Sequence, residues 1–359
     1  MRKSQKGNGQ KIVVGLSGGI DSSMALVFLK KAGWQPVGVS LKFSTWSDKK
    51  NSLAKDICQK LDIPYHIFNV EKEFQEKVIH YFIGELKKDR TPNPCVICNR
   101  YLKFKQLFEW ANQHGIQYVA TGHYARTRKN SKTQKYELLK AKDEQKDQTY
   151  VLSLLPQEWL KYIIFPLGDY TKKEIYRLAD KEGFASLVAQ KQSQDFCFVA
   201  NKSLDSFLEK EIGARPGPIK DSQGHILGKH RGLHFYTIGQ RKGIGLPGGP
   251  YFVKELDIKK NVLLVTKNEK EIFSKTVLLS SLHFISEKQP QKEIKVTAKI
   301  RYSQPSAKAA LFPLKGDKVK LVFQQPQRAI TPGQFAVFYQ KNICLGGGVI
   351  DKTKEKVSS

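Results

Sequence analysis

The stretch Lys11–Ser23, KIVVGLSGGIDSS, decides the fold. Lys11 to Leu16 is a short apolar run that reads as a buried strand. A Gly/Ser loop follows, and a helix is expected over about Ser22 to Lys31, stopped by Gly33. Gly18 and Gly19 let the backbone approach a ligand closely, and the helix behind them offers free N–H groups and a positive dipole end. Ser17, Ser22 and Ser23 add hydroxyl donors, so the loop reads as an anion cradle. It matches neither GxxxxGK[ST] nor GxGxxG, which argues against an ordinary P-loop or dinucleotide site. Asp21 would repel a phosphate unless it helps to hold Mg²⁺ between itself and a pyrophosphate. The plainer alternative is a Gly/Ser turn with Asp21 as a helix N-cap.

Outward from this loop, Pro36–Leu41, Tyr65–Val70 and Tyr118–Thr121 read as further strands. Helical spacing appears at Leu53, Ala54, Ile57, Cys58 and Leu61, and again at Phe74, Val78, Tyr81, Phe82 and Leu86. Arg90–Asn99 reads as a Pro-rich loop leading into a helix of about Arg100 to His114. Alternating strands and helices predict an α/β parallel sheet covered on both faces. Beyond residue 200, Gly, Pro and short alternating segments take over. Ile294–Ile300, Val319–Phe323, Phe335–Tyr339 and Ile343–Ile350 suggest a small β-barrel. The expected division is an adenylating α/β domain (1–200), a small central domain (201–272) and a C-terminal β-barrel (273–359), with Lys352–Ser359 as a frayed tail.

The chain has 359 residues, of which 40% are hydrophobic, enough for a sizeable core in two or three domains. Lys and Arg number 61 against 33 Asp and Glu, a formal charge of +28 that suits a polyanionic partner, nucleic acid first. The alternative is a solvated Lys-rich surface. No apolar run is long enough to span a membrane, and the charged start MRKSQKGNGQK is no secretory signal. Five cysteines, sparse and odd in number, argue against a disulfide framework, so the expected compartment is the cytoplasm.

Cys95 and Cys98 form CxxC within RTPNPCVICN (90–99), and Cys197 lies about a hundred residues on, in SQDFCFV. Cys58 and Cys344 fit core positions. Three readings stay open for the first three cysteines. A closed zinc site would lack a second CxxC. A [4Fe–4S] cluster held by Cys95, Cys98 and Cys197 would leave one iron open. Thiols that pass sulfur would use one thiolate to attack a disulfide or persulfide and a neighbour to resolve it.

SGGxDS after a first strand resembles the pyrophosphate-loop ATP pyrophosphatases, and the wider pattern resembles the bacterial tRNA-specific 2-thiouridylase family. The matching segments are GLSGGIDSS (15–23), RTPNP (90–94), CNR (98–100), ATGHYAR (120–126), KDQTYVL (146–152) and DFCFV (195–199). They continue with PGPI (216–219), LGKHRGLHFYTIGQRKGIG (227–245), RY (301–302), TPGQFAVFY (331–339) and CLGGGVI (344–350). The resemblance implies that ATP adenylates the O2 of the wobble uridine in tRNAs for Lys, Glu and Gln. Sulfur then arrives from a Cys197 persulfide, and Cys98 is the partner nucleophile that frees hydrosulfide or closes a disulfide. It implies ATP contacts from Gly15, Leu16, Ser17, Gly18, Gly19, Ile20, Asp21 and Ser22, with Leu41 and Gly122. It implies contact with the target base from Asn93, Pro94 and Cys95. Further tRNA contacts would come from His123, Lys146, Asp147, Gln148, Arg301, Tyr302 and Gln334. An upstream sulfur donor, such as a cysteine desulfurase or relay protein, is implied, and a monomer is expected.

Two departures stand out. Many family members carry Asp where this chain has Cys95, and the three-cysteine set that results raises the iron–sulfur version of the reaction. The segment after Leu41 (KFSTWSDKKNSLAKDICQKL) is shorter than its usual counterpart.

Other residues have competing readings. Asp195 could position Cys197 or cap a turn. His225, His230 and His234 invite a metal reading without Cys or carboxylate company. Arg241–Lys242 could meet phosphate or be solvated. Trp34, Trp46, Trp110 and Trp159 read as core or rim. Competing functions are a pyrophosphate-loop synthetase that amidates a small carboxylate, and a non-catalytic tRNA-binding protein with a structural metal.

Overall fold

The computed structural model describes residues 6–44, 47–188, 196–199, 203–316 and 318–351. The expectations for Trp46, Asp195 and the tail from Lys352 lie outside the described residues. The chain opens with β1 (Lys11–Leu16), α1 (Ile20–Lys31), β2 (Gln35–Lys42), α2 (Asp48–Lys60) and β3 (Tyr65–Asn69). A helical stretch, α3 (71–86), and a second, α4 (94–113), lead to β4 (Tyr118–Thr121). Then come a hairpin of β5 (Ala125–Lys129) and β6 (Tyr136–Lys140), the short β7 (Ile163–Ile164), and α5 (Lys172–Lys181).

The first sheet is parallel throughout, in the order β3-β2-β1-β4-β7. Its central strand shows the fully buried pattern that covering both faces requires. Ile12, Val13 and Val14 are all sealed from solvent. Alternation splits them: Val13 joins the core beneath α3 and α4, whereas Ile12 and Val14 join the core with α1. The strand order runs from β1 out to β3 on one side and restarts with β4 on the other. The gap between β1 and β4, at their carboxyl ends, is therefore the switch point where such sheets leave room for a ligand. Cys58 and Cys344 are core residues, as are Trp34 and Trp110, while Trp159 is half-buried under the Arg100 guanidinium.

Two features differ from the expectation. Arg90–Asn99 is not all loop, because α4 begins at Pro94 and carries both CxxC cysteines. Asn93 caps it, its side chain accepting from the N–H groups of Cys95 and Val96, and Pro94 sits at the position where a missing N–H costs nothing. The segments 75–79 and 99–103 are π-turns inserted into α3 and α4.

The second difference concerns the barrel. A central four-stranded sheet of β8 (Gly217–Lys220), β9 (Ile226–His230), β10 (Phe252–Asp257) and β11 (Val262–Thr266) packs on Ile219, Val253, Leu263 and Val265. The C-terminal sheet contains β12 (Phe273–Phe284), β13 (Ile294–Lys299), β14 (Ala307–Pro313), β15 (Val319–Arg328), β16 (Phe335–Gln340) and β17 (Ile343–Ile350). It closes through β12 pairing with β17, which leaves no free edge between those strands. β6 then adds to β17, with Cys344 opposite Leu138, so the β5–β6 hairpin of the first domain continues the barrel sheet.

Candidate active site

β1 ends at Leu16 and α1 starts at Ile20, so Ser17, Gly18 and Gly19 turn at the carboxyl edge of the sheet. Gly18 has φ +68°, and a Cβ there would lie 2.2 Å from the carbonyl oxygen of Lys50, so only glycine fits. Gly19 brings no side chain to cap α1, and the helix start stays open toward the crevice. The serines mainly brace the loop. Ser22 Oγ accepts from the Ser17 N–H at 3.2 Å, and the Ser22 and Ser23 hydroxyls both donate to the Gly19 carbonyl at 3.0 Å. Gly122, just after β4, rests on the start of α1, where a Cβ would come within 2.6 Å of the Asp21 carbonyl carbon and the Ser22 nitrogen.

Asp21 is not a helix cap. It lies in the first turn of α1, and its Oδ1 accepts from Lys172 Nζ at 2.6 Å and from the Tyr124 hydroxyl at 2.8 Å. Lys172 is nearly buried, and burial lowers its pKa against the opposing pull of Asp21. Both bonds fall on one oxygen of Asp21. A single carboxylate in that state fits an Mg²⁺ held chiefly by the phosphates of a nucleotide.

The crevice holds a cavity of about 310 Å³. The phosphate loop lines it through Gly15, Leu16, Ser17, Asp21 and Ser22, and Leu41, Gly122, His123 and Gln148 complete that side. Gly18, Gly19 and Ile20 shape the turn, and Ile20 itself points into the core. Ser47, Lys50 and Asn51 come from the short segment after Leu41. Cys98, Lys103 and Cys197 close the far wall.

The cysteines meet there from two elements. Cys98 is buried on α4, and burial pushes its thiol up to about 12, partly offset by the ammonium and backbone N–H of Lys103. Cys95, one turn earlier, is exposed, although surrounding protein and Cys197 still push its thiol up to about 11. Cys197 is also exposed. Its thiol is raised by the protein around it, against the ammonium groups of Lys103 and Lys50. Its neighbours anchor it. The Phe196 and Phe198 rings stack at 5.5 Å and both meet Phe82, so the residues on either side of the thiol are fixed in an aromatic cluster.

Among the described residues no three His, Cys, Asp or Glu side chains are grouped to hold a metal ion. Cys95, Cys98 and Cys197 are near enough for their charges to interact, but they are not drawn together into a three-thiolate site here. The three histidines diverge too. His225 pairs with Asp221 at 3.0 Å, His230 Nε2 meets the Asn261 carbonyl at 3.1 Å, and His234 is buried beside Phe235.

The residues expected on RNA fall into two groups. Tyr302 is 41% exposed and meets Tyr150 edge-on, Lys146 and Cys95 are exposed, and His123 is half-buried in the cavity wall. Burial and nearby Lys103 hold the His123 imidazole neutral, and its Nδ1 lies 2.8 Å from Thr121 Oγ1. The others brace the scaffold. Asp147 is buried and accepts from the Thr149 hydroxyl at 2.6 Å and the Ala141 N–H at 3.0 Å. Gln148 accepts from the Tyr124 N–H at 2.8 Å. Arg301 Nη2 donates to the carbonyls of Ile238 and Ala329. Gln334 Nε2 donates to the Thr91 carbonyl at 2.9 Å, and Pro94 is buried. Lys50, Lys103 and Lys172 were not singled out by sequence. A lysine among so many carries no local mark.

Residues 10–201 match the family description tRNA methyl transferase HUP domain, residues 205–267 a PRC-barrel domain of the same name, and residues 274–350 an aminomethyltransferase beta-barrel domain. tRNA-specific 2-thiouridylase MnmA 1 of Caldanaerobacter subterraneus subsp. tengcongensis is 41% identical, covering 95% of this chain and 98% of its own. MnmA of Acetivibrio thermocellus is also 41% identical, over 95% of this chain and 99% of its own. The fold, the phosphate loop opening on two cysteines, and identity of this order along nearly the whole length lead to one conclusion: the chain belongs to the tRNA-specific 2-thiouridylase family.

Proposed function

We infer that this chain is an ATP-dependent tRNA sulfurtransferase that places sulfur at carbon 2 of a uridine. The observation that carries this reading is that the phosphate loop and two cysteines, Cys98 and Cys197, line one cavity. A methyl transfer would need neither a pyrophosphate loop nor paired thiols. The C2 carbonyl of uridine is a poor electrophile, because nitrogen lone pairs feed it. Attack of its O2 on the α-phosphorus of ATP releases pyrophosphate and turns that oxygen into an AMP leaving group. Gly15–Ser22 would hold the phosphates through backbone N–H groups and the dipole of α1. Mg²⁺, when bound, would neutralise phosphate charge, and Asp21 is the carboxylate placed to hold it.

For sulfur delivery we favour the persulfide route. An upstream donor leaves a persulfide on Cys197, reached through its exposed position. The Cys98 thiolate attacks the inner sulfur, forming a Cys98–Cys197 disulfide and expelling hydrosulfide. Hydrosulfide adds at C2 and AMP departs. Alternatively the terminal sulfur attacks C2 directly, and Cys98 then resolves the linkage. Either way an external thiol must reduce the disulfide before the next turnover. Cys95 is exposed on the turn before Cys98, and the target base would approach from that side.

The same reading assigns wobble uridines of the Lys, Glu and Gln tRNAs as substrates, a cytoplasmic monomer as the working form, and residues 1–200, 201–272 and 273–359 as the three domains. Tyr302, Lys146 and Cys95 would meet RNA, and a +28 chain would bind it with strong salt dependence. The test is an anaerobic reaction with unmodified tRNA, ATP, Mg²⁺ and sulfide or a desulfurase donor, followed by mass spectrometry of the nucleosides. Wild type should form 2-thiouridine. Cys197→Ser should not form it from the desulfurase donor, while still releasing pyrophosphate. Absence of 2-thiouridine from wild type with both sulfur sources defeats the reading.

A further inference from the structure

We propose that Lys50, with Ser47 and Asn51 on the same turn, forms the second wall of the nucleotide site and lies against the β- and γ-phosphates of ATP. This rests on the reading that ATP occupies the cavity. Three observations carry it. The three side chains line the same cavity as the phosphate loop. The Lys50 carbonyl occupies the space a side chain at position 18 would need, which seats the first turn of α2 directly on that loop. That turn is locked in place: Ser47 and Asn51 are buried, Ser47 Oγ donates to the Ser44 carbonyl at 2.6 Å, and the Tyr65 hydroxyl donates to the Asn51 carbonyl at 2.9 Å.

Charge points the same way. Lys172 is committed to Asp21, and Lys42 pairs with Asp48 at 3.2 Å, but Lys50 forms no ion pair among the described residues. An exposed ammonium beside a phosphate cradle is the group expected to take up charge as pyrophosphate leaves. Lys103, on the opposite wall, acts on all three cysteines, whereas Lys50 reaches only Cys197 among them. The shortened segment after Leu41 thus supplies a working part of the site.

The test is calorimetric titration of the full chain with Mg·ATP and, separately, with AMP, in the absence of tRNA. Lys50→Met should weaken ATP binding about tenfold, the loss of one charge-assisted contact of about 1.4 kcal/mol, and leave AMP affinity unchanged. Lys50→Arg should restore ATP affinity. Unchanged ATP binding in Lys50→Met, or an equal loss for ATP and AMP, overturns the assignment. Failure of wild type to bind either nucleotide would overturn the ATP reading itself, and this one with it.

Discussion

Lys172 Nζ sits 2.6 Å from Asp21 Oδ1, joining the first turn of α5 to the first turn of α1 across 151 residues of sequence. The pair fixes the carboxylate that faces the phosphate loop, and the Tyr124 hydroxyl fixes it from the other side. Lys172→Met leaves Asp21 without its cation in a partly buried setting. We expect a loss of about 1–3 kcal/mol in urea unfolding, together with a higher KM for ATP. Asp21→Asn strands the more deeply buried Lys172 ammonium, so it should also lose stability, and it should lose pyrophosphate release by about a hundredfold. If Lys172→Met unfolds like wild type, the pair is not holding the loop.

What could be read along the chain was what is local. β1, the start of α1 and β4 follow from apolar runs and glycines, because burial and positive φ act on neighbouring residues. The start of α4 at Pro94 was also local, in the Asn93–Pro94 pair, but it was hidden by the loop character of proline. The β5–β6 hairpin was missed because its pairing partner, β17, lies some two hundred residues away. Lys50, Lys103 and Lys172 were illegible for a different reason. With 61 basic residues, only the fold shows which ammonium groups reach the site.

Gly18 carries a prediction that separates backbone shape from charge. A methyl group there would be held at φ +68° and pressed against the Lys50 carbonyl. Gly18→Ala should cost about 1–2 kcal/mol from the left-handed backbone alone, and the clash would push α2 off the loop. ATP affinity should fall together with stability in thermal unfolding. Retention of both would show that the loop adjusts freely.

Gln334 is bonded to Thr91 rather than left free at the surface. Thr91 also approaches Thr237 of the central sheet region, with their hydroxyl oxygens 3.4 Å apart. Gln334→Ala should therefore loosen the loop that presents Asn93 and Cys95. One hydrogen bond of about 1 kcal/mol corresponds to roughly a fivefold rise in KM for tRNA, with Mg·ATP affinity unchanged. Steady-state thiolation against tRNA concentration measures the first, and nucleotide titration the second. A fall in ATP affinity would place the effect in the wrong site.

Lys103 gives the pH prediction. Burial pushes the Cys98 thiol up to about 12, and the Lys103 ammonium and N–H pull it back. At neutral pH the resting thiol is therefore protonated, and its alkylation should keep rising with pH through the range 7.5–10 rather than level off near 8.5 as a free cysteine does. Removing the cation disfavours the thiolate further, so Lys103→Met should slow Cys98 alkylation at every pH in that window. Lys103→Arg should keep the wild-type profile. Exposed Cys95 and Cys197 also gain from Lys103, so their alkylation should slow with that of Cys98. Mass spectrometry of iodoacetamide-labelled peptides reads the three sites separately. Equal rates for Cys98 in wild type and Lys103→Met would mean that the ammonium does not reach the thiol. The charge favouring attack on the Cys197 persulfide would then have to come from the bound substrates.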